Sequence, residues 1–371
     1  MDLQTPHALL SRPTTDELGR ESFLAAMREF LITELYSGNE IAYRQRQVPA
    51  FIARHGRPPE TYLEVKSVME QDPFFRAFSL LNRSTQELLW DTVGESIERQ
   101  LPQLRTAAAE IPPAGGTLTL DPEMPLPDYY TKVDVHVMPG SFHKELGPDD
   151  LYAGAVYDRG VYLYAYGGLG GVNDGLGHAT LGCVQRRFPD LRPRRILDMG
   201  CGAGMSTLPF AAAYPDAEIH AIDLAAPMLR YAHGRAESLS VPIHFAQANA
   251  AQTSFADGSF DLIVSTIILH EMPQKTSRQV IAECHRLLKQ GGVMVHNDMV
   301  GWPTDPFQEF MAEWNAHHNN EVFERGSGTL DFRAACVDAG FPEASVFLEP
   351  VSAAYMSEQL AYVGFRGAVK A

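Results

Sequence analysis

Cysteine is scarce in this chain of 371 residues. Cys183, Cys201, Cys284 and Cys336 make the whole complement, and no two stand in a CxxC pair. Such scatter argues against a disulfide framework or a cysteine-built zinc site and fits a reducing compartment. Positive charge is also in deficit. Lys plus Arg number 30 against 46 Asp plus Glu, a formal net charge of −16 with a pI near 5.2. No long basic run interrupts that acidity, so a nucleic-acid partner is disfavoured. No stretch reaches about 18 uninterrupted apolar residues, and the opening MDLQTPHALLSRPTTDELGR holds no signal-peptide core. A soluble cytoplasmic protein with no membrane partner is therefore expected. Repeats and low-complexity tracts are absent as well. What the chain does have is an apolar content of 45% with 20% charged residues, enough to bury a real core across two units.

The first of these units reads as mainly helical, over residues 1–165. Phe23, Met27, Phe30, Leu31 and Leu35 recur at three-and-four spacing, as do Leu80, Leu81, Leu88, Leu89 and Ile97. Thr15 or Asp16 is expected to cap the first helix and Gly38 to end it. These stripes suggest a core of their own, a homodimer interface or a cover over an active site. The Pro/Gly-rich stretch near 111–127 marks a crossing, and YYTKVDVHVMPG behind it alternates like a strand. Tyr157, Tyr162, Tyr164 and Tyr166 then crowd ahead of a glycine-rich turn, and a helix from about Asn173 to Phe188 follows.

The second unit, residues 166–371, alternates strands and helices from Arg195 onward, the pattern of a mainly parallel sheet with helices on both faces. Seven strands are expected: RILDMG, EIHAID, IHFAQAN, FDLIVST, GGVMVHND, SVFLEP and AYVGFRG. The last two are placed to pair antiparallel. The first strand runs into ILDMGCGAGMST, with Asp198, Gly200, Gly202 and Gly204 on alternate positions directly before a helix. Glycines there let the backbone turn tightly and approach a ligand. A dinucleotide fingerprint needs glycine where Met205 stands, so the pattern is DxGxGxG instead. Asp223 closes the next strand 21 residues after Gly202, where an acid can accept from both ribose hydroxyls of a nucleoside.

At these residues the sequence resembles class I S-adenosylmethionine-dependent methyltransferases. The resemblance implies a Rossmann-like seven-stranded methyltransferase sheet, with S-adenosylmethionine as cofactor and a small-molecule methyl acceptor as partner. It implies that Asp198 and the glycine loop meet the amino-acid end of the cofactor, and Tyr166, in the tyrosine cluster next to that loop, is placed to reach its carboxylate. Leu224 and Met228 would line the adenine, and Thr266 would border the site. In QANAAQTSF, Asn249 stands where the family most often has Asp; its amide oxygen is expected to accept from the adenine amino group, and Ala250 to offer its backbone N–H. Pro209 departs from the pattern and is expected to bend the first helix of the sheet domain.

Small-molecule O-methyltransferases commonly carry a His-Asp pair beyond the fourth strand, and here that place holds His270 and Glu271. His270 reads as a general base, as a substrate-positioning group or as a loop-packing residue. His296, with Asp298, ends the fifth strand on the same carboxyl edge and is the next candidate for acceptor contact. Trp314, His317 and His318 share a helix expected to lie over that edge. HExxH is not present, because Gln274 occupies the second histidine position, and the acids of magnesium-using catechol-type relatives are not matched by Thr266 and His270. No metal is expected. The leading expectation is methyl transfer to a hydroxyl oxygen. C-, N- or S-methyl transfer in secondary or compatible-solute metabolism, or a binding protein that keeps the fold, remain alternatives.

Overall fold

The computed structural model describes residues 4–350 and 362–371. Its strands are β1 (Thr117–Thr119), β2 (Arg195–Met199), β3 (Glu218–Asp223), β4 (His244–Gln247), β5 (Phe260–Thr266), β6 (Leu288–Met299), β7 (Phe347–Pro350) and β8 (Val363–Val369). Helices ahead of β2 are α1 (Thr15–Phe30), α2 (Tyr36–Ala42), α3 (Val48–His55), α4 (Tyr62–Met69), α5 (Pro73–Glu110), α6 (Asp128–Thr131), α7 (Tyr152–Tyr164) and α8 (Gly175–Arg187), the last three of them after β1. Interleaved with the strands or following them are α9 (Leu208–Ala213), α10 (Ala226–Ser238), α11 (Gln274–Leu287), α12 (Pro306–His318), α13 (Glu324–Gly328) and α14 (Phe332–Ala339).

The strands form one sheet in the order β1-β4-β3-β2-β5-β6-β8-β7. Only β8 runs antiparallel to its neighbours, β6 and β7. The inner strands carry near-continuous apolar runs, as Ile196, Leu197, Ile263 and Val264 illustrate, because helices cover both faces, and their polar residues gather toward the carboxyl ends. The strand order reverses beside β2, so β2 and β5 diverge at their carboxyl ends and leave the crevice in which open α/β sheets bind ligands. Ala361, the first residue of the last expected strand, lies outside the described residues.

Among the described residues the sheet has eight strands rather than the expected seven. The extra one, β1, comes from the Pro/Gly-rich crossing and pairs parallel with β4 from Thr117↔His244 to Thr119↔Ala246. Gly116 makes this approach possible, because a Cβ there would stand 2.5 Å from the carbonyl oxygen of Ile243. Thr14, not Thr15 or Asp16, caps α1: its hydroxyl accepts from Glu17 N–H while the Glu17 carboxylate accepts from Thr14 N–H. Gly38 does not end a helix. It sits inside α2 against the Phe74 ring, which a Cβ would meet at 2.4 Å.

YYTKVDVHVMPG is not a strand either. It forms the short α6 and a 3-10 turn at Val135–Val137, where His136 and Val137 take left-handed φ values of 55° and 62°. Among the described residues no strand pairs with this segment to satisfy an extended backbone. Pro209 falls in the first turn of α9, where a missing N–H costs nothing, so it starts the helix and does not bend it. One apolar cluster holds Leu24, Trp90 and Tyr152 together with Met205, Met228 and Tyr231, so the helical segment and the sheet segment share a core.

Candidate active site

The glycine loop follows β2 at the floor of the crevice. Gly200 has φ +72°, and a Cβ on it would strike the Ile268 side chain at 2.2 Å, so only glycine fits. Gly202, at φ +51°, donates its N–H to Asp223 Oδ2 at 2.9 Å, while Ala225 N–H donates to Oδ1 at 2.9 Å. Asp223 is thereby fixed with both oxygens still able to accept a further hydrogen bond, and burial raises its pKa. Burial likewise pushes the Asp198 carboxyl up to about 7, against the lowering effect of a hydrogen bond from the Thr207 hydroxyl at 2.6 Å.

Among the expected cofactor residues, Asp198, Gly200, Gly202, Asp223, Leu224, Met228, Asn249, Ala250 and Thr266 all line one cavity. Gly204 does not line it, and instead packs where a Cβ would meet the Phe245 ring at 3.2 Å. Asn249 Oδ1 already accepts from Ala251 N–H at 2.9 Å, which braces the turn after β4 and leaves one lone pair for a ligand. The cavity fits an aminoacyl nucleoside: Asp223 suits a ribose, and the carboxyl of Asp198 suits an ammonium. The hydroxyl of Tyr130 is buried there without a hydrogen-bond partner and so offers a donor to a carboxylate.

Tyr166 belongs to a second, adjoining cavity, also lined by Trp90, His270, Glu321 and Glu324. His136, Tyr157, Val161, Leu169, Leu176 and Ile267 border both spaces and form the junction. His270 is buried there at the carboxyl edge. Its Nδ1 contacts Asp298 Oδ1 at 3.1 Å, and its Nε2 faces Glu321 Oε2 at 3.3 Å and Glu271 Oε1 at 3.7 Å. Burial opposes the charged ring, but Asp298, Glu321 and Glu271 together hold its pKa well above the usual histidine value. Glu271 is pushed up to about 7 by burial, and Glu324 to about 8 by burial with Glu321 beside it.

The structure does not bring His296 to either cavity. Its ring is fully buried, with Nδ1 2.7 Å from Ser265 Oγ and Nε2 4.0 Å from Cys284 Sγ, against Phe332. Burial and the nearby Arg366 push it down to about 3, so it is neutral. Side chains alternate along β6, and His296 and Asp298, two apart, leave the strand on one face at different depths. Only Asp298 reaches His270. Trp314 and His318 face the helical segment instead of an acceptor: Trp314 Nε1 donates to Ser79 Oγ at 2.8 Å, and Ser79 Oγ lies 2.8 Å from His318 Nε2.

Sequence reasoning missed His136, Tyr130, Glu321 and Glu324. Glu321 and Glu324 lie in a segment with no periodicity, and His136 sits inside an alternating run that reads as a strand. The available signal was a histidine closely followed by MPG, a turn that no strand would tolerate.

The sheet order, the glycine loop and the acid ending β3 define a class I S-adenosylmethionine-dependent methyltransferase fold. Residues 196–292 match the family described as a methyltransferase domain. The demethylmenaquinone methyltransferase of Thermus thermophilus is 34% identical over 115 residues, 30% of this chain and 51% of that protein. A malonyl-[acyl-carrier protein] O-methyltransferase of Geobacter sulfurreducens is 33% identical over 172 residues, 43% of this chain and 60% of that protein. Trans-aconitate 2-methyltransferase of Methylobacterium radiotolerans is 36% identical over 108 residues, 29% of this chain and 39% of that protein. The chain thus spans about half the length of the curated relatives it matches. A Haemonchus contortus phosphoethanolamine N-methyltransferase structure aligns at TM-score 0.44 and 17% identity over 58% of each chain, too remote to bear on activity.

Proposed function

We propose that the chain transfers a methyl group from S-adenosylmethionine to a hydroxyl oxygen of a small molecule. The observation that carries this reading is the meeting of two cavities at the carboxyl edge, with His270 and Glu321 in the wall of the second and Asp298 behind His270. When bound, the cofactor supplies an electrophilic methyl group on a sulfonium. Asp223, Asp198 and Tyr130 hold it, and Leu224, Met228 and Ala250 cover its base. The second cavity orients the acceptor and excludes water, so that in-line attack needs little further rearrangement. The acceptor O–H bond breaks as the C–O bond forms. The polar array at the junction receives the proton and passes it to solvent, and the electron pair of the broken C–S bond stays on sulfur.

Cofactor binding is tested by thermal unfolding. S-adenosylmethionine at about 100 times its Kd should stabilise the native state by about 2.7 kcal/mol, because it binds only that state. Asp223→Ala and Gly202→Val should lose the shift while remaining folded. A midpoint that rises with NAD and not with the methyl donor would refute the reading.

Residues 1–165 serve in this proposal as the cover of the acceptor cavity, to which Arg28 and Trp90 contribute. They also supply a homodimer surface, since Phe23, Leu80 and Leu88 are 64%, 67% and 54% exposed. Sedimentation of the full chain should give a dimer, and a strict monomer at micromolar concentration would remove that part. A cytoplasmic setting agrees with four buried cysteines, all unpaired. No helix among the described residues is long and apolar enough to cross a membrane.

A further inference from the structure

We propose that His270, Glu271 and Glu321 form a mononuclear site for a divalent transition cation, Zn²⁺ or Mn²⁺, whose open position takes the acceptor oxygen. Resting on the methyl-transfer reading, this inference gives the junction of the two cavities its chemical task. It reverses the expectation drawn from the absence of HExxH, because the second and third ligand positions are brought together by the fold and not by spacing along a helix.

Geometry supports it first. One ligand atom from each of the three residues lies within 4.8 Å of the others. His270 Nε2 stands 3.3 Å from Glu321 Oε2 and 3.7 Å from Glu271 Oε1. Ligands bound at about 2.0–2.2 Å in a tetrahedron lie about 3.4 Å apart, which the two distances from His270 Nε2 match, while the two carboxylates stand within 4.8 Å of each other and need a small side-chain adjustment to close the set. The His270 ring is set for ligation by its other nitrogen. Nδ1 is held by Asp298 Oδ1 at 3.1 Å, and Asp298 is fixed in turn by the N–H groups of Leu269 and Met299, each at 2.7 Å. A carboxylate behind a histidine in this way fixes its tautomer and raises its basicity toward a metal.

Polar groups left without partners support it independently. Glu324, 8% exposed and lining the acceptor cavity beside His270 and Glu321, has an Oε2 that makes no hydrogen bond. His136 Nδ1 faces Glu321 Oε1 at 3.1 Å but is not aligned to hydrogen-bond to it. Its Nε2 lies 3.7 Å from Glu271 Oε1, so the ring spans the two carboxylates from outside. Charge points the same way. Four acidic side chains, Glu271, Glu321, Glu324 and Asp298, converge on a buried space whose permanent cations are Arg366, 3.6 Å from Asp298, and Arg28 in the wall of the acceptor cavity. A divalent ion offsets that excess more completely than two protonated imidazoles.

Mixed imidazole and carboxylate ligands suit Zn²⁺ or Mn²⁺ better than Mg²⁺, which prefers oxygen and retains water. Three protein ligands with one position open is the pattern of a catalytic centre. An acceptor hydroxyl bound there loses its proton to solvent at neutral pH, as a metal-bound water does. The resulting oxygen bonds to the methyl carbon while the C–S pair returns to sulfur.

The test uses the full chain, stripped with a chelator and titrated separately with ZnCl₂, MnCl₂ and MgCl₂, with bound metal measured by calorimetry and elemental analysis. One equivalent of Zn²⁺ or Mn²⁺ per chain is expected, with Mg²⁺ at least 10-fold weaker. Glu321→Gln, nearly isosteric, should weaken that binding by 100-fold or more, and Asp298→Asn by about 10–100-fold. Each variant is checked for folding by its thermal shift with S-adenosylmethionine. The proposal is overturned if folded wild type binds neither ion stoichiometrically, the outcome expected if the carboxylates hold a cationic acceptor. Zn²⁺ or Mn²⁺ binding that Glu321→Gln leaves unchanged overturns it equally. Stoichiometric metal without methyl transfer would keep this inference and sink the functional reading, and the converse result would separate them the other way.

Discussion

Replacing His270 by alanine is expected to lower turnover by about 10²–10⁴-fold while leaving the affinity for S-adenosylmethionine nearly unchanged. The ring touches the acceptor cavity and not the cofactor cavity, so its loss removes an interaction made with the reacting oxygen. This expectation holds whether Nε2 takes a proton or ligates a metal. His296→Ala is the informative comparison. That ring is sealed between Ser265, Cys284 and Phe332, so its removal should leave a cavity and lower the thermal midpoint without changing the acceptor KM. Steady-state kinetics and cofactor titration on both variants decide the matter. Unchanged constants for a folded His270→Ala chain would place the chemistry elsewhere.

Asp158→Asn is expected to cost about 3–5 kcal/mol, a large share of the stability of any domain. Asp158 is fully buried in α7 and joins three parts of the chain. Its Oδ2 accepts from Arg235 Nε at 3.1 Å and from the Tyr231 hydroxyl at 2.9 Å, and it contacts His7 Nε2 at 3.0 Å. Oδ1 accepts from Gln4 at 2.8 Å and from Asn173 at 2.9 Å. With an amide in its place, the Arg235 guanidinium is left buried without its counter-charge.

The same pairing sets a pH dependence. Burial would raise the Asp158 pKa, but Arg235 and the bonds from His7 and Tyr231 outweigh it and hold the carboxyl at about 2, below the ordinary 3.8. A depressed folded-state pKa means that the unfolded chain binds the proton more readily. Stability from this group is therefore complete above about pH 4 and is lost as pH falls from about 4 to 2, a contribution of about 2 kcal/mol. Urea unfolding at pH 7 and pH 3 should show about half of that component, about 1 kcal/mol, in the wild type and none of it in Asp158→Asn. A midpoint for Asp158→Asn equal to that of the wild type at pH 7 would mean that the network carries no net energy.

What the sequence determined by itself is local. Gly200 and Gly202 are legible because a tight turn at positive φ next to a ligand cavity admits no Cβ, and Asp223 because a strand end followed by a helix fixes where its carboxylate points. The alternation of strands and helices gave the α/β class, since buried parallel strands leave near-continuous apolar runs such as RILDM and FDLIVST. β1 was hidden because three residues between prolines and glycines carry no period, and their pairing with β4 depends on a long-range approach.

Only the tertiary structure decided the junction of the two cavities. His136, His270, Glu271, Asp298 and Glu321 come from a crossing turn, two loops and the end of β6, and no local rule links their positions. It likewise separated His296 from Asp298, two candidates two residues apart in one strand, by burying one ring and letting the other side chain reach His270. Local propensity is set by a residue and its nearest neighbours along the chain. Convergence of buried charges is set by topology, and it persists only where packing forces the groups together and partners offset the cost of their desolvation.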